Sequence, residues 1–311
     1  MVLIYLILLL LPHSVEAAEG VWTAKKPSPN ERSEVAVVSL NEKIYVIGGF
    51  KRLGVTDLVE EYTPSTDTWA TKAPIPQSLH HAAAAAVRGR IYVIGGFRRL
   101  WPWKPVNSVY EYDPASNRWS RKASMPTERG ALAVGVIDDK IYAVGGVGEN
   151  GDVATNEVYD PSKDSWEVKA PMSTARDHLS IGIAGGKMYA VGGRVGSYAR
   201  NLNSSEEYDP VKNAWVKKAP LPTPRSGIAA SALNGKIYIF GGEAPEGTFD
   251  KVEEYNPETG SWRAMTSMPT SRHGLGSAVV GNKIYVISGG RKPGGSYSGV
   301  NEVFVPGRTG E

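Results

Sequence analysis

The chain has 311 residues, no cysteine and a formal net charge of +3. Without cysteine there can be no disulfide, thiolate metal site or lipidated N-terminal Cys. The mild charge, with no basic run interleaved with aromatics, excludes a nucleic-acid-binding protein.

Residues 2–11 form an apolar run, too short for a bilayer span, which needs about 20 residues. It is followed by Pro12-His13-Ser14 and then Val15-Glu16-Ala17. Small residues at the first and third positions of that triplet suit signal peptidase. Residues 1–17 are therefore expected to be a signal peptide. Residues 18–311 are expected to be a protein exported to the periplasm or the extracellular space. No second apolar run follows, so no membrane span is expected in the mature chain.

After this run the string Ile-Tyr-Val-Ile-Gly-Gly recurs with small changes. Its glycine pairs are Gly48-Gly49, Gly95-Gly96, Gly145-Gly146, Gly192-Gly193 and Gly241-Gly242, with Ser288-Gly289-Gly290 in the sixth copy. An aromatic follows each: Tyr62, Tyr112, Tyr159, Tyr208, Tyr255 and Phe304. Seven residues after each tyrosine stands Trp69, Trp119, Trp166, Trp215 or Trp262.

Each copy reads as four short strands, a to d. Strand a is small and apolar, and strand b ends in the glycine pair. Strand c carries the tyrosine, and strand d the tryptophan. Tight turns such as Asn41-Glu42 and Asn234-Gly235 suit two-residue a–b hairpins. A period of 47–50 residues with four strands is a propeller blade. The sixth copy has no tryptophan of its own. At the other end of the chain, the stretch starting Val21-Trp22-Thr23-Ala24 looks like Trp69-Ala70-Thr71-Lys72. It is expected to supply strand d of the last blade and so close the ring, burying edges that an open array would expose.

These six copies resemble the kelch repeat family over essentially the whole mature chain. The resemblance implies an all-β, six-bladed propeller and leaves function open, because propellers host unrelated activities.

Spacing locates the face expected to carry function. From the first residue of each glycine pair (Ser288 in the sixth copy) to the aromatic there are 14, 17, 14, 16, 14 and 16 residues. All length variation therefore lies in the b–c loops, which share a face with the d–a turns. The loops of blades 2, 4 and 6 carry Arg98, Arg99, Trp101 and Trp103, then Arg194, Tyr198 and Arg200, then Arg291. The two tryptophans suit a stacking platform for a sugar ring or an aromatic side chain. Ten residues after each tryptophan comes Arg32, Leu79, Arg129, Arg176, Arg225 or Arg272. These arginines are expected to ring the channel mouth and grip an anion, a role that the kelch resemblance also implies. The alternative is structural, with guanidinium groups bonding loop carbonyls. His80, His81, His178 and His273 stand one or two positions further on and join the candidate ligand-binding set.

The expected function is recognition of an anionic saccharide or an acidic protein segment, without cofactor or metal. Galactose oxidase shares the kelch propeller but needs a cysteine, absent here. Gly242-Glu243-Ala244 is similar to a stretch in exported bacterial sialic acid mutarotases. That resemblance implies Glu243 as an acid/base residue and leaves mutarotation as the alternative. It also implies an arginine six residues on, where this chain has Phe249, so Arg225 or Arg272 would have to replace it.

Overall fold

The structure is a computed structural model and describes residues 19–307. The expected signal peptide lies outside the described residues. Among the described residues there are six four-stranded antiparallel sheets, one per blade, and four two-stranded hairpins beyond them. No described helix is long and apolar enough to cross a membrane.

Strand a of blade 1 runs Ala36–Leu40, strand b Lys43–Ile47, strand c Val59–Thr63 and strand d Thr68–Lys72. The other blades repeat this order. Strand a lines the axis and must be slim there, as Ala83–Val87 (AAAAV) shows. Asn41 and Glu42 both have positive φ, 51° and 59°, as a tight a–b turn between twisted strands requires. The first glycine of each pair also has positive φ. At Gly48 a Cβ would fall 2.5 Å from the Leu79 carbonyl oxygen of the next turn.

The tyrosine of strand c packs against the tryptophan of strand d, with ring centroids 4.9 Å apart for Tyr62 and Trp69. Each tryptophan then stitches its blade to the preceding one. Trp69 Nε1–H donates to the Lys26 carbonyl at 2.9 Å, and Trp119 does the same to Ala73.

Closure follows the sequence expectation. Val21–Ala24 pairs antiparallel with strand c of blade 6, Asn301–Val305, with Trp22 opposite Phe304. Trp22 lies 4.9 Å from Phe304, and its Nε1–H donates to the Thr266 carbonyl at 2.9 Å. It thus makes, from the start of the chain, the contact that every other blade makes internally.

Candidate functional site

The five repeat arginines do not ring the mouth. Arg32, Arg129, Arg176, Arg225 and Arg272 are fully buried, each inside its own blade. Each meets a glutamate of strand c, two positions before the repeat aromatic. Arg32 Nη2 reaches Glu60 Oε2 at 2.6 Å, and Arg272 Nη2 reaches Glu302 Oε2 at 2.7 Å. Arg129, Arg176 and Arg225 pair likewise with Glu157, Glu206 and Glu253. The guanidinium also serves loop carbonyls: Arg32 Nη1 donates to Gly48 at 3.0 Å and Leu58 at 3.1 Å. Buried charges require such partners. In blade 2, Leu79 replaces the arginine and Tyr110 replaces the glutamate, both buried. The two residues change together, so the pair is a structural unit of the blade. The expected anion-binding ring is corrected accordingly.

What reaches the axis is the residue two positions further on. Glu34, His81, Ala131, His178, Gly227 and Gly274 all have positive φ, between 50° and 64°. Their backbones form a closed circle of hydrogen bonds. Glu34 N–H donates to the Gly274 carbonyl, His81 to Glu34, Ala131 to His81, His178 to Ala131, Gly227 to His178 and Gly274 to Gly227, at 2.7–3.1 Å. This iris caps a channel cavity of about 170 Å³. Gly274 leaves room for its neighbour: a Cβ there would lie 2.3 Å from Glu34 Oε1.

Around the iris the histidines named from sequence do converge. The long b–c loops fold in over them. Blade 2 sets Trp103 against His81, with centroids 4.8 Å apart, and against Phe97 at 5.1 Å. Blade 4 brings Arg194, with Tyr198 beside its guanidinium, and Asn201, whose Nδ2 donates to the Glu243 carbonyl at 2.7 Å. Blade 6 brings the Gly294 N–H to Glu243 Oε2 at 2.9 Å. Trp101 takes no part and projects into solvent, as do Arg98, Arg99, Arg200 and Arg291. These four arginines sit on the expected face but outside the cluster.

Hydrogen-bond directions fix the protons. The Arg99 carbonyl can only accept, so His80 Nε2 donates to it at 3.0 Å. Neutral His80 then accepts at Nδ1 from His81 Nδ1–H, at 2.6 Å. His81 is left with a bare Nε2, which faces Glu34 Oε2 at 3.2 Å. The proton on that contact belongs to Glu34. The electrostatics agree: burial, then the nearby Glu243 charge, push the Glu34 carboxyl up to about 8. Burial holds His80 down to about 4, and His81 well below the usual imidazole range.

On the far side, Arg194 donates from Nε to Asp177 at 3.0 Å and from Nη1 to Glu243 Oε1 at 2.8 Å. Its Nη2 donates to His178 Nε2 at 2.9 Å, so His178 gives its Nδ1–H to Asp177. Glu243 is ionised. Burial pushes its carboxyl up, but the His273 ring when protonated, the Gly294 N–H and Arg194 together outweigh burial and hold it low. Asp152, raised to about 7 by burial and by Asp177, accepts from Gly196 N–H at 2.8 Å.

His273 is the exception. Its Nδ1 donates to the Gly290 carbonyl at 3.2 Å, which leaves Nε2 as a bare acceptor. That atom is buried without a partner, 3.6 Å from Glu34 Oε1 and 3.6 Å from Glu243 Oε2.

Glu34, His81 and His178 offer atoms within 4.8 Å of one another that could hold a metal ion. The donor set fits one poorly, because the His178 Nε2 lone pair already accepts from the Arg194 guanidinium.

The raised Glu34 carboxyl predicts a pH effect of definite sign. Between its ordinary value of 4.5 and about 8, the folded state holds a proton that the unfolded state has released. Its stabilising contribution is complete at low pH and lost as pH rises through about 8. Above the usual imidazole range the histidines no longer titrate in either state. The urea midpoint should therefore fall from about pH 7 to about pH 8 and level off above it, with Asp152 adding at the lower end. Glu34→Gln, which mimics the protonated acid, should flatten that fall; an unchanged slope would place the proton elsewhere.

Residues 12–193 and 131–305 match the family model described as the KLHDC2/KLHL20/DRC7 Kelch-repeats domain. A solved structure of YjhT superposes with a TM-score of 0.79, covering 90% of this chain and 96% of that one. Sequence identity to it is 17%, so the likeness is one of fold. No curated protein matches significantly.

Proposed function

Because the chain belongs to the kelch-repeat family, whose fold serves many activities, we propose a function from its site: the channel mouth binds a small acidic sugar and moves protons on it. The observation that carries this reading is His273 Nε2. A buried acceptor with no donor is costly, by about 1–3 kcal/mol, and a ligand hydroxyl would relieve it. On either side of it stand two carboxyls in opposite states, Glu34 protonated and Glu243 ionised. Carboxyls whose environments drive their protonation apart are the usual mark of an acid and a base.

Mutarotation needs this equipment. A proton reaches the ring oxygen while another leaves the anomeric hydroxyl, and the ring reopens and closes. Glu34 supplies the first proton and recovers it from the sugar hydroxyl when the ring closes again. His273 accepts the second; burial disfavours its cationic form, and the adjacent Glu243 charge offsets part of that. The guanidinium that the sequence resemblance calls for near Glu243 comes from Arg194 of blade 4, in place of Arg225 or Arg272, which are committed to their own glutamates. Arg194 uses three of its five N–H donors within the cluster, which leaves others for a ligand carboxylate.

The test is calorimetric binding of acidic sugars together with exchange between their anomers by NMR. Wild-type protein should bind and speed exchange. Glu34→Gln and His273→Ala should each slow it by about 10²–10⁴-fold. Binding without faster exchange would reduce the function to recognition. If neither binding nor exchange is seen for any acidic or neutral sugar, the reading fails.

A further inference from the structure

The b–c face carries a second feature, away from the polar cluster. Most side chains of the cluster are buried, yet the tips of loops 1 and 2 expose large apolar groups. Leu53 is 90% exposed, Trp101 82% and Leu100 57%. They sit on adjacent blades, tied together at their bases by Phe50 and Trp103, whose centroids are 6.2 Å apart. Trp103 shows that a tryptophan of loop 2 can pack on the protein. Trp101, two residues earlier, has no such support.

The charged residues within the tips are all cations. Lys51 and Arg52 precede Leu53; Arg98 and Arg99 precede Leu100; Lys104 closes loop 2. All five are exposed, and no acidic residue lies within 50–55 or 97–107. Exposed acids stand outside the tips: Glu31 and Glu128 in the d–a turns and Asp57 at the end of loop 1, with Glu128 and Glu149 lining a hollow beside loop 2. The tips of loops 1 and 2 themselves therefore form a cationic, apolar sector of this face.

We propose that loops 1 and 2 dock this sector onto an anionic lipid bilayer, with Leu53, Leu100 and Trp101 entering the headgroup region. Exposed apolar tips flanked by cations match a soft anionic surface, whereas a folded partner offers pockets for such anchors. Tryptophan beside arginine and lysine is the composition that settles at the membrane–water boundary. The five cations complement anionic headgroups. This inference does not depend on the chemistry proposed for the channel mouth.

Sedimentation of residues 18–311 with vesicles of phosphatidylcholine, with and without phosphatidylglycerol, tests the proposal. Binding should need the anionic lipid and weaken as salt rises. Brominated lipid should quench the fluorescence of the wild type more than that of Trp101→Phe. The double variant Arg98→Glu/Arg99→Glu should lower partitioning roughly a hundredfold. Leu53→Ser/Trp101→Ser should lower it although every cation remains. These side chains are solvent-exposed, and unchanged melting would show that the variants fold. No binding to anionic vesicles at low salt overturns the proposal. So does binding that neither double variant weakens. Equal capture by polyglutamate, insensitive to Leu53→Ser/Trp101→Ser, would assign the sector to an acidic polypeptide instead.

Discussion

Replacing Arg225 by alanine should destabilise the propeller by about 3–5 kcal/mol, because it leaves Glu253 as a buried charge without its partner. The loss should show as a lower urea midpoint with an unchanged slope. Blade 2 supplies the control. There Leu79 and Tyr110 fill the same two positions and are buried at 1% and 8% exposure. The double replacement Arg225→Leu/Glu253→Tyr should therefore recover most of the loss, since a buried ion pair can be exchanged for apolar packing at little net cost. If the single variant melts like the wild type, the pair has no structural role, and the arginines are again candidates for ligand contact.

The second large effect concerns the seam. Trp22 packs edge-on against Phe240 at 6.0 Å and tilts against Phe304 at 4.9 Å, and it bonds the Thr266 carbonyl. Trp22→Ala should cost about 3–5 kcal/mol, as for other large aromatics removed from packed sites. Deleting residues 18–27 should cost more, because strand c of blade 6 then becomes a bare edge open to pairing with other chains. Calorimetry of the truncated protein should show a lower melting temperature, and light scattering should show association. Melting at the wild-type temperature would mean that the ring holds without its seam.

The blades, their strand order and the closing strand were legible because each rests on a repeated local pattern. Six copies of a diglycine and a spaced aromatic leave little freedom, and Trp22 stands out as a tryptophan without a blade. The arginines were placed in the correct turn but given the wrong direction. Sequence spacing locates a Cα and says little about which way a long side chain lies. A signal was nevertheless present: glutamate stands two residues before the aromatic in five copies, and in blade 2 it gives way to Tyr110 where the arginine gives way to Leu79. Glu34 was missed for the opposite reason. Its position holds Glu, His, Ala, His, Gly and Gly in successive blades, so no repeat pattern marks it. Arg194 owes its importance to the curvature of the ring, which brings blades 4 and 5 together around His178 and Glu243. Linear spacing does not encode that meeting. What varies at an otherwise regular position was, in this chain, the better guide to the site.

The backbone circle through Glu34, His81, Ala131, His178, Gly227 and Gly274 also acts as a count. Each blade contributes one donor and one acceptor, and the sixth donor must find the first acceptor. An array that stops short of closure leaves one donor and one acceptor unpaired. The circle has no end from which to fray. Its final link joins Gly274 of the last blade to Glu34 of the first, so the acid on which the proposed chemistry depends is set in place only when the chain has closed on itself.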